Sequence, residues 1–355
     1  HLGVGEVPRY RDRGEMVITE YPVTDQDTFY AWLHEVLKPQ EIQRFKDSLD
    51  FDGATQYEFA RVRINIFDSL NGPSLVLRLI PLKILTMEQL RLPPIFKNIS
   101  DAEKGLVLVT GPTGSGKSTT MAAMVDYINK THPKNIITIE DPIEFVHEHK
   151  KCIVTQREVG IDTESFDSAL KSSLRQAPDV ILIGEIRSQE IMEFALSFAE
   201  TGHLCVATLH ANNANQAIDR IMHLVPKEKH EKLKYDLALN LKAIVAQQLI
   251  QTSDGEGRVA AIEVLLNSPM IAELIKKGDI SGIKEVMAKS KEMGMQTFDQ
   301  ALFDLYQQSK ISYADALHHA DSPNDLRLMI KLRNNEQTGS GFLQGVTVDG
   351  LDQDN

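Results

Sequence analysis

The chain has 355 residues, of which 42% are hydrophobic and 25% are charged. That is the composition of an ordinary globular protein, and the length predicts more than one domain. The formal net charge of −12 argues against bulk attraction to nucleic acid or anionic lipid, although not against a local basic patch. Two distant cysteines argue against a disulfide framework and structural zinc, and predict a reducing cytoplasm. No apolar run reaches the length of about 18 residues that a membrane span needs, so we predict no transmembrane segment.

Residues 1 to 80 predict a small α+β domain. The segment TDQDTFYAWLHEVL has helical spacing, with Thr24 as its N-cap and acidic residues in its first turn. The segment FARVRINIF alternates between apolar and polar residues, as a half-buried strand does, and its polar face carries Arg61, Arg63 and Asn65. SLVLRLIP follows the turn signals NG and PS and predicts the hairpin partner of that strand. We predict a linker over residues 81–103.

Residues 104–332 change to an alternation of strands and helices. The segments LVLVT, NIITIE, DVILIGE and HLCVATLH are short, apolar and rich in β-branched residues, which predicts a mainly parallel sheet covered on both faces. From about residue 226 the pattern is helical, interrupted by one predicted strand, RVAAIEVLL. The remaining segment, 333–355, has no amphipathic period and is predicted to be a disordered tail.

The segment GPTGSGKSTT fits the phosphate-binding pattern G-x-x-x-x-G-K-[ST], directly after the predicted strand LVLVT. It also opens a predicted helix over residues 118–130, which is the context that the pattern requires. Backbone amides and the helix N-terminus would hold the phosphates of a nucleotide, Lys117 would reach the β- and γ-phosphates, and Ser118 would ligate Mg²⁺. The predicted binding residues are Gly111, Pro112, Thr113, Gly114, Ser115, Gly116, Lys117, Ser118 and Thr119.

Acidic residues follow two of the predicted strands. ITIEDPIEF presents Glu140, Asp141 and Glu144, and VILIGEIR presents Glu185. The carboxyl ends of parallel strands share one crevice with the glycine loop. A lone carboxylate at a strand end is more often a helix cap, but two acidic strand ends beside a phosphate loop favour catalysis. One acid would serve the metal and its waters, and the other would orient the attacking water.

Three further residues keep two interpretations each. His210 ends a fourth strand, where it is either a satisfied core residue or a sensor of the γ-phosphate. Arg78 is the only polar residue of LVLRLI, and a guanidinium in an apolar strand needs an anion to offset its desolvation. Arg63 lies on the polar face of the paired strand. Both arginines either contact phosphate or form a salt bridge within their own domain.

Four segments in order resemble the signatures of the secretion and type IV pilus motor ATPases. They are the Walker A loop 111–118, the Asp box TIEDPIEF, the Walker B segment LRQAPDVILIGEIR and the His box GHLCVATLHANN. The resemblance covers residues 1–332. Within the family the chain looks like the PilT/PilU retraction branch of twitching motility, and more like its accessory member.

The resemblance implies a RecA-like P-loop ATPase domain preceded by a PAS-like domain, in a homo-hexameric ring that uses ATP and Mg²⁺. It also implies that Glu185 is the general base, that Glu140 and Asp141 lie near Mg²⁺, and that His210 is the His-box histidine. Arg63 and Arg78 match amino-terminal arginines that approach the phosphates. The implied function is pilus retraction at the cytoplasmic side of the inner membrane, with a pilus platform protein and a paralogous retraction ATPase as partners.

Three departures from the family pattern bear on that function. The Walker B segment ends in Arg187-Ser188 instead of Arg-Asp, and the AIRNLIRE-type motif of the retraction motors is missing. The four-cysteine zinc motif of the extension and type II secretion ATPases is also absent from the sequence. The alternative function is therefore an accessory nucleotide-binding subunit with little turnover of its own. A DNA-translocating motor is disfavoured by the acidic charge and the lack of a basic tract.

Overall fold

The computed structural model describes residues 1–12 and 15–338. The last helix runs to Thr338, so residues 333–338, predicted as the start of a disordered tail, are helical. The rest of that predicted tail, residues 339–355, lies outside the described residues. No helix in the described part of the chain combines the length and the apolar character needed to cross a membrane.

The first part of the chain is an antiparallel sheet of four strands, with a separate two-stranded hairpin formed by β2 and β3. The elements are β1 Leu2–Gly3, β2 Arg9–Asp12, β3 Glu15–Ile18, α1 Gln26–Val36, α2 Pro39–Ser48, β4 Asp50–Gln56, β5 Ala60–Phe67 and β6 Ser74–Pro81. The sheet order is β1-β6-β5-β4. The predicted alternation of β5 is confirmed, because its residues are buried at every second position and its apolar face packs on α1 and α2. The predicted β5–β6 hairpin is confirmed as well.

The first helix is capped one residue later than predicted. Asp25 is the N-cap, and its Oδ1 accepts a hydrogen bond from the Thr28 N–H at 2.7 Å. Thr24 instead belongs to the preceding extended segment. Its N–H donates to the Glu6 carbonyl, and its own carbonyl accepts from the Gly5 N–H. Because of these two backbone contacts, Thr24 is buried and does not present its hydroxyl to the helix.

The predicted linker contains a short helix, α3 Ile95–Ser100. Met87, Phe96 and Ile99 are buried in the apolar core on one face of the second sheet. The segment is therefore docked on the larger domain, because it contributes part of that domain's core.

The second sheet has seven strands in the order β13-β12-β7-β11-β10-β8-β9, parallel except for β13. The elements are β7 Gly105–Thr110, α4 Lys117–Thr131, β8 Asn135–Glu140, β9 Ile153–Glu158, α5 Phe166–Ser173, β10 Val180–Ile183, α6 Gln189–Glu200, β11 Leu204–Leu209, α7 Ala214–His223, α8 His230–Asn240, β12 Leu241–Gln251, β13 Arg258–Leu266, α9 Pro269–Lys277, α10 Ser281–Lys289, α11 Phe298–Gln307, α12 Tyr313–His319 and α13 Pro323–Thr338. The central strands β7, β10 and β11 are buried along their whole length, because helices cover both faces. The predicted α/β class with a mainly parallel sheet is confirmed.

Two strands of this sheet were not predicted. β12 lies in the region predicted as helical apart from RVAAIEVLL, and β9 follows the Asp box. The sequence of β12, LKAIVAQQLIQ, continues directly from α8 and is almost wholly buried. A strand that is buried on both faces has no period of two, so the pattern alone does not separate it from a buried helix.

Candidate active site

The phosphate loop, residues 111–118, connects β7 to α4 at the carboxyl edge of the sheet. Gly116 is the N-cap of α4 with φ of 90°, a left-handed conformation that favours glycine. A Cβ at Gly116 would lie 2.7 Å from the Gln247 Nε2, and a Cβ at Gly111 would collide with the Gln247 carbonyl oxygen. Glycine at positions 111 and 116 is therefore required by the close approach of β12 beneath the loop.

Gln247 ties the loop to β12. Its Nε2 donates to the Ser115 carbonyl at 2.7 Å, and its Oε1 accepts from the Thr120 hydroxyl at 2.7 Å. The side chain is buried, with 3% of its surface exposed. Both ends of the amide are thus bonded to the two sides of the α4 N-terminus, which fixes the loop before any ligand arrives.

Lys117 folds back over the loop. Its Nζ donates to the carbonyls of Gly111 and Pro112, both at 2.9 Å. Burial lowers the pKa of Lys117, and the nearby Glu185 and Glu144 oppose that shift. An ammonium that is partly desolvated and hydrogen-bonded to two neutral carbonyls favours an anionic ligand at this position.

The Asp box follows β8 in the same cleft. Glu140 accepts from the Thr138 hydroxyl at 2.6 Å and from the Gln156 Nε2 at 3.3 Å. Desolvation by the surrounding protein raises the pKa of Glu140 to about 7, although these hydrogen bonds oppose the shift. Asp141 is exposed and lies 3.3 Å from the Arg187 Nη1.

Glu185 lies two residues after β10, between the side chains of Arg187 and His210. Its Oε2 accepts from the Arg187 Nε at 2.6 Å, and its Oε1 lies 3.3 Å from the His210 Nε2. Arg187 thus bridges Glu185 and Asp141. His210 follows β11 and is 43% exposed, so the interpretation of His210 as a satisfied core residue is wrong.

The arginine pair, Arg63 and Arg78, enters the cleft from the amino-terminal sheet. The two residues are direct register partners across β5 and β6, on the face opposite the core. Arg63 lies 3.7 Å from Asp52 of the neighbouring strand. Arg78 is exposed and has no ion pair among the residues that the structure describes. The predicted desolvation of Arg78 is therefore wrong, since its strand face is open to the cleft and not packed.

These groups line one cleft of about 660 Å³ between the two sheets. The predicted residues that line it are Thr113, Gly114, Gly116, Lys117, Ser118, Thr119, Glu140, Asp141, Glu144, Glu185, His210, Arg63 and Arg78. Gly111, Pro112 and Ser115 do not line it: the first two present carbonyls to Lys117, and Ser115 is buried toward Gln247. The described residues contain no group of three His, Cys, Asp or Glu side chains spaced to hold a metal by themselves.

Sequence reasoning missed Gln247, Glu158 and the role of Arg187. Gln247 and Thr120 are 127 residues apart, so no local spacing reveals their contact. The signal available for Gln247 was a polar pair inside the apolar run of β12. Ser188, which replaces the usual Asp, is the N-cap of α6 and accepts from the Ile191 N–H at 3.3 Å. That contact accounts for Ser188 without any role in the cleft.

A phosphate loop on a mainly parallel sheet, with acidic strand ends in the same cleft, defines a P-loop nucleoside triphosphatase. Residues 52–301 match the model of the type II/IV secretion system protein family. The chain belongs to that family, in the PilT/PilU branch predicted from its motifs, and the predicted ATPase class is confirmed.

Curated relatives place the chain within the family. It is 52% identical over 357 residues to the type IV pilus ATPase PilU of Pseudomonas aeruginosa, covering 99% of this chain and 93% of that protein. It is 41% identical to the type IV pilus retraction ATPase PilT of the same organism, over 92% of this chain and 94% of PilT. The higher identity to PilU than to PilT agrees with the prediction made from the motifs.

Solved structures agree with the fold. The crystal structure of the pilus retraction motor PilT with bound ADP superposes with a TM-score of 0.85 at 39% identity, covering 92% of this chain and 94% of that one. The ATPase DotB of Legionella pneumophila has a TM-score of 0.75 at 23% identity, which supports the fold alone.

Proposed function

We propose that the chain is a Mg²⁺-dependent ATP hydrolase of a hexameric motor ring that powers or assists type IV pilus retraction. One observation carries the proposal: the phosphate loop, Glu185, the Asp-box acids and the arginine pair all line a single cleft. Each of these groups has a separate task in phosphoryl transfer to water, and together they make a complete set.

The phosphate loop would hold the β-phosphate on its backbone amides, with the positive end of α4 directed at it. Lys117 would leave the Gly111 and Pro112 carbonyls for the β- and γ-phosphates. A second cleft of about 640 Å³ opens from Gly116 and Thr119 toward Leu90, Leu249 and Val259. Its lining combines apolar side chains such as Leu90 with polar groups such as Thr252 and Arg258, a combination that would suit the base and ribose of the nucleotide.

Glu185 would accept the proton of the attacking water, so one of its present partners has to give way. His210 contacts the Glu185 Oε1. It would therefore either orient Glu185 or contact the γ-phosphate. Arg187 would move from Glu185 toward the phosphates or remain with Asp141.

Ser118, Glu140 and Asp141 would hold Mg²⁺, partly through water. They offer one hydroxyl and two carboxylates in the same cleft, which suits a hard cation that binds few protein ligands and shares the rest with phosphate and water. The bound ion would neutralise charge on the β- and γ-phosphates.

The motor role requires assembly. A ring of one chain type needs two different surfaces on each copy, and six copies are the number implied by the family resemblance. We place the ring in the cytoplasm at the base of the pilus, with a platform protein of the inner membrane and a paralogous retraction ATPase as partners. The similarity to PilU and PilT supports this placement. The accessory function remains the alternative, and steady-state hydrolysis with and without the paralogue separates the two.

The variant Glu185→Gln tests the chemistry directly. The amide keeps the shape of the side chain but accepts no proton, so turnover should fall by about 10²–10⁴-fold while nucleotide binding is retained. The measurement is steady-state phosphate release together with equilibrium binding of labelled ATP. A normal rate per bound ATP would place the base elsewhere, with Glu140 as the next residue to test.

A further inference from the structure

Arg61 joins the two domains through a buried ion pair. Its Nη2 lies 2.7 Å from the Glu158 Oε2, at the end of β9. The two side chains are 18% and 6% exposed. The residues are 97 positions apart, on β5 of the amino-terminal sheet and at the edge of the larger sheet. A pair this buried constrains orientation, because separating the charges would leave each one desolvated without a partner.

Glu158 also holds the Asp-box loop. The same Oε2 accepts from the Ile143 N–H at 3.1 Å, two residues after Asp141. The Glu158 N–H in turn donates to the Asp162 Oδ2 at 3.0 Å, which fixes the end of β9. One carboxylate oxygen is thus bonded both to the amino-terminal domain and to the loop that carries Glu140 and Asp141.

Arg61 lies on the same strand face as the arginine pair. Residues two apart in a strand point to the same side, about 7 Å from each other, so Arg61 and Arg63 share one face of β5. Arg78 is the register partner of Arg63 on β6. Fixing Arg61 against Glu158 therefore fixes where Arg63 and Arg78 stand above the phosphate loop of the same chain.

We propose that Arg61 and Glu158 are a positioning pair: they hold the arginine pair over the nucleotide of their own chain and link domain position to the Asp box. This inference rests on the proposed function. It assigns no contact between Arg61 and the nucleotide. It predicts that a substitution of Arg61 weakens ATP binding indirectly, by displacing Arg63, Arg78 and the segment around Ile143.

The experiment compares Arg61→Ala, Arg61→Lys and the triple variant Arg61→Ala/Arg63→Ala/Arg78→Ala with Arg63→Ala/Arg78→Ala. Affinities for ADP and for a non-hydrolysable ATP analogue are measured by titration. Arg61→Ala should change ADP affinity less than twofold and weaken the analogue about tenfold, since only the γ-phosphate meets the arginines. Arg61→Lys should restore most of that loss. The triple variant should bind the analogue no more weakly than Arg63→Ala/Arg78→Ala.

Ile64→Val is the matched control, because Ile64 is the neighbouring residue on the buried face of β5. It should lower the melting temperature without changing the ratio of the two affinities. A second measurement does not depend on nucleotide: amide hydrogen exchange at Ile143 should be faster in Arg61→Ala than in wild type, and unchanged in Arg63→Ala/Arg78→Ala.

Two results would overturn the positioning pair: equal loss of ADP and analogue affinity in Arg61→Ala, or a further loss in the triple variant. Unchanged exchange at Ile143 would remove the link to the Asp box. Failure of the proposed function looks different, since the wild-type protein would then not hydrolyse ATP, while the exchange result at Ile143 would still stand.

Discussion

The two sides of the cleft differ in how many of their contacts are already made. On one side, Gln247 bonds both flanks of the phosphate loop, and Lys117 is bonded to two loop carbonyls. On the other side, Arg63 has only a 3.7 Å contact with Asp52, and Arg78 is exposed without an ion pair in the described part of the chain. The loop side is therefore preformed, whereas the arginine side presents cationic groups that are open to the cleft. A preformed loop should bind ADP and ATP alike, and only the arginine side should tell them apart.

Among the substitutions that test this comparison, Lys117→Ala is expected to have the largest effect on activity. It would remove the charge that we propose lies against the transferred phosphoryl group, in a reaction where positioning and charge supply most of the catalysis. Hydrolysis should fall at least about 100-fold, and the arginine side should not compensate. Steady-state phosphate release measures the loss. Hydrolysis at the wild-type rate would show that the loop does not hold the reacting phosphates.

Gln247→Leu breaks the preformed side by removing the two hydrogen bonds that hold the phosphate loop. The Ser115 carbonyl and the Thr120 hydroxyl would lose their buried partner, which costs about 1–3 kcal/mol. We expect a lower melting temperature and a loss of about 10-fold in affinity, equal for ADP and for an ATP analogue. A loss confined to the analogue would contradict the division of the cleft into two sides.

Glu263 gives a pH test of the structure behind the loop. It lies on β13 opposite Ala246, next to Gln247, and accepts from the N–H groups of Ala214 and Phe298 at the starts of α7 and α11. Burial raises the pKa of Glu263 from 4.5 to about 7, although these N–H groups oppose the shift. The folded protein then binds a proton that the unfolded chain releases, so this stabilisation is present below pH 4.5 and is lost as the pH rises through 7.

Between pH 5 and 8, wild type should therefore lose about 1–3 kcal/mol of unfolding free energy relative to Glu263→Gln, which does not titrate. Urea unfolding of both proteins across this range measures the difference. The ratio of ADP to ATP-analogue affinity should not change in the variant, because Glu263 does not line the cleft that holds Arg63 and Arg78. A pH-independent difference in stability would mean that the two N–H donors keep Glu263 ionised.

The features predicted correctly from sequence are those with a local pattern. LVLVT followed by the glycine pattern identified β7, the loop and α4, since spacing and strand context lie within thirty residues. The acidic strand ends Glu140 and Glu185 were assigned to one cleft because parallel strands share a carboxyl edge. The alternation around Arg63 gave the polar face of β5 without any tertiary information.

The features that sequence did not supply depend on distant partners. Gln247 contacts Thr120 across 127 residues, and Arg61 contacts Glu158 across 97. The exposure of Arg78 is mispredicted because its apolar neighbours in LVLRLI do not indicate that this face of the strand borders an open cleft. The local pattern predicts Thr24 as a cap because it does not contain the backbone contacts of Thr24 with Gly5 and Glu6.

The central claim is that the loop side binds any nucleotide and the arginine side recognises the γ-phosphate. The most direct test is calorimetric titration of wild type and Arg63→Ala/Arg78→Ala with ADP and with a non-hydrolysable ATP analogue, together with their melting temperatures. The account predicts unchanged ADP affinity, an unchanged melting temperature, and a loss of about 10- to 100-fold for the analogue, as expected for losing one or two charge-assisted contacts. An equal loss for both nucleotides, with a lowered melting temperature, would make the arginine pair part of the scaffold and contradict the claim.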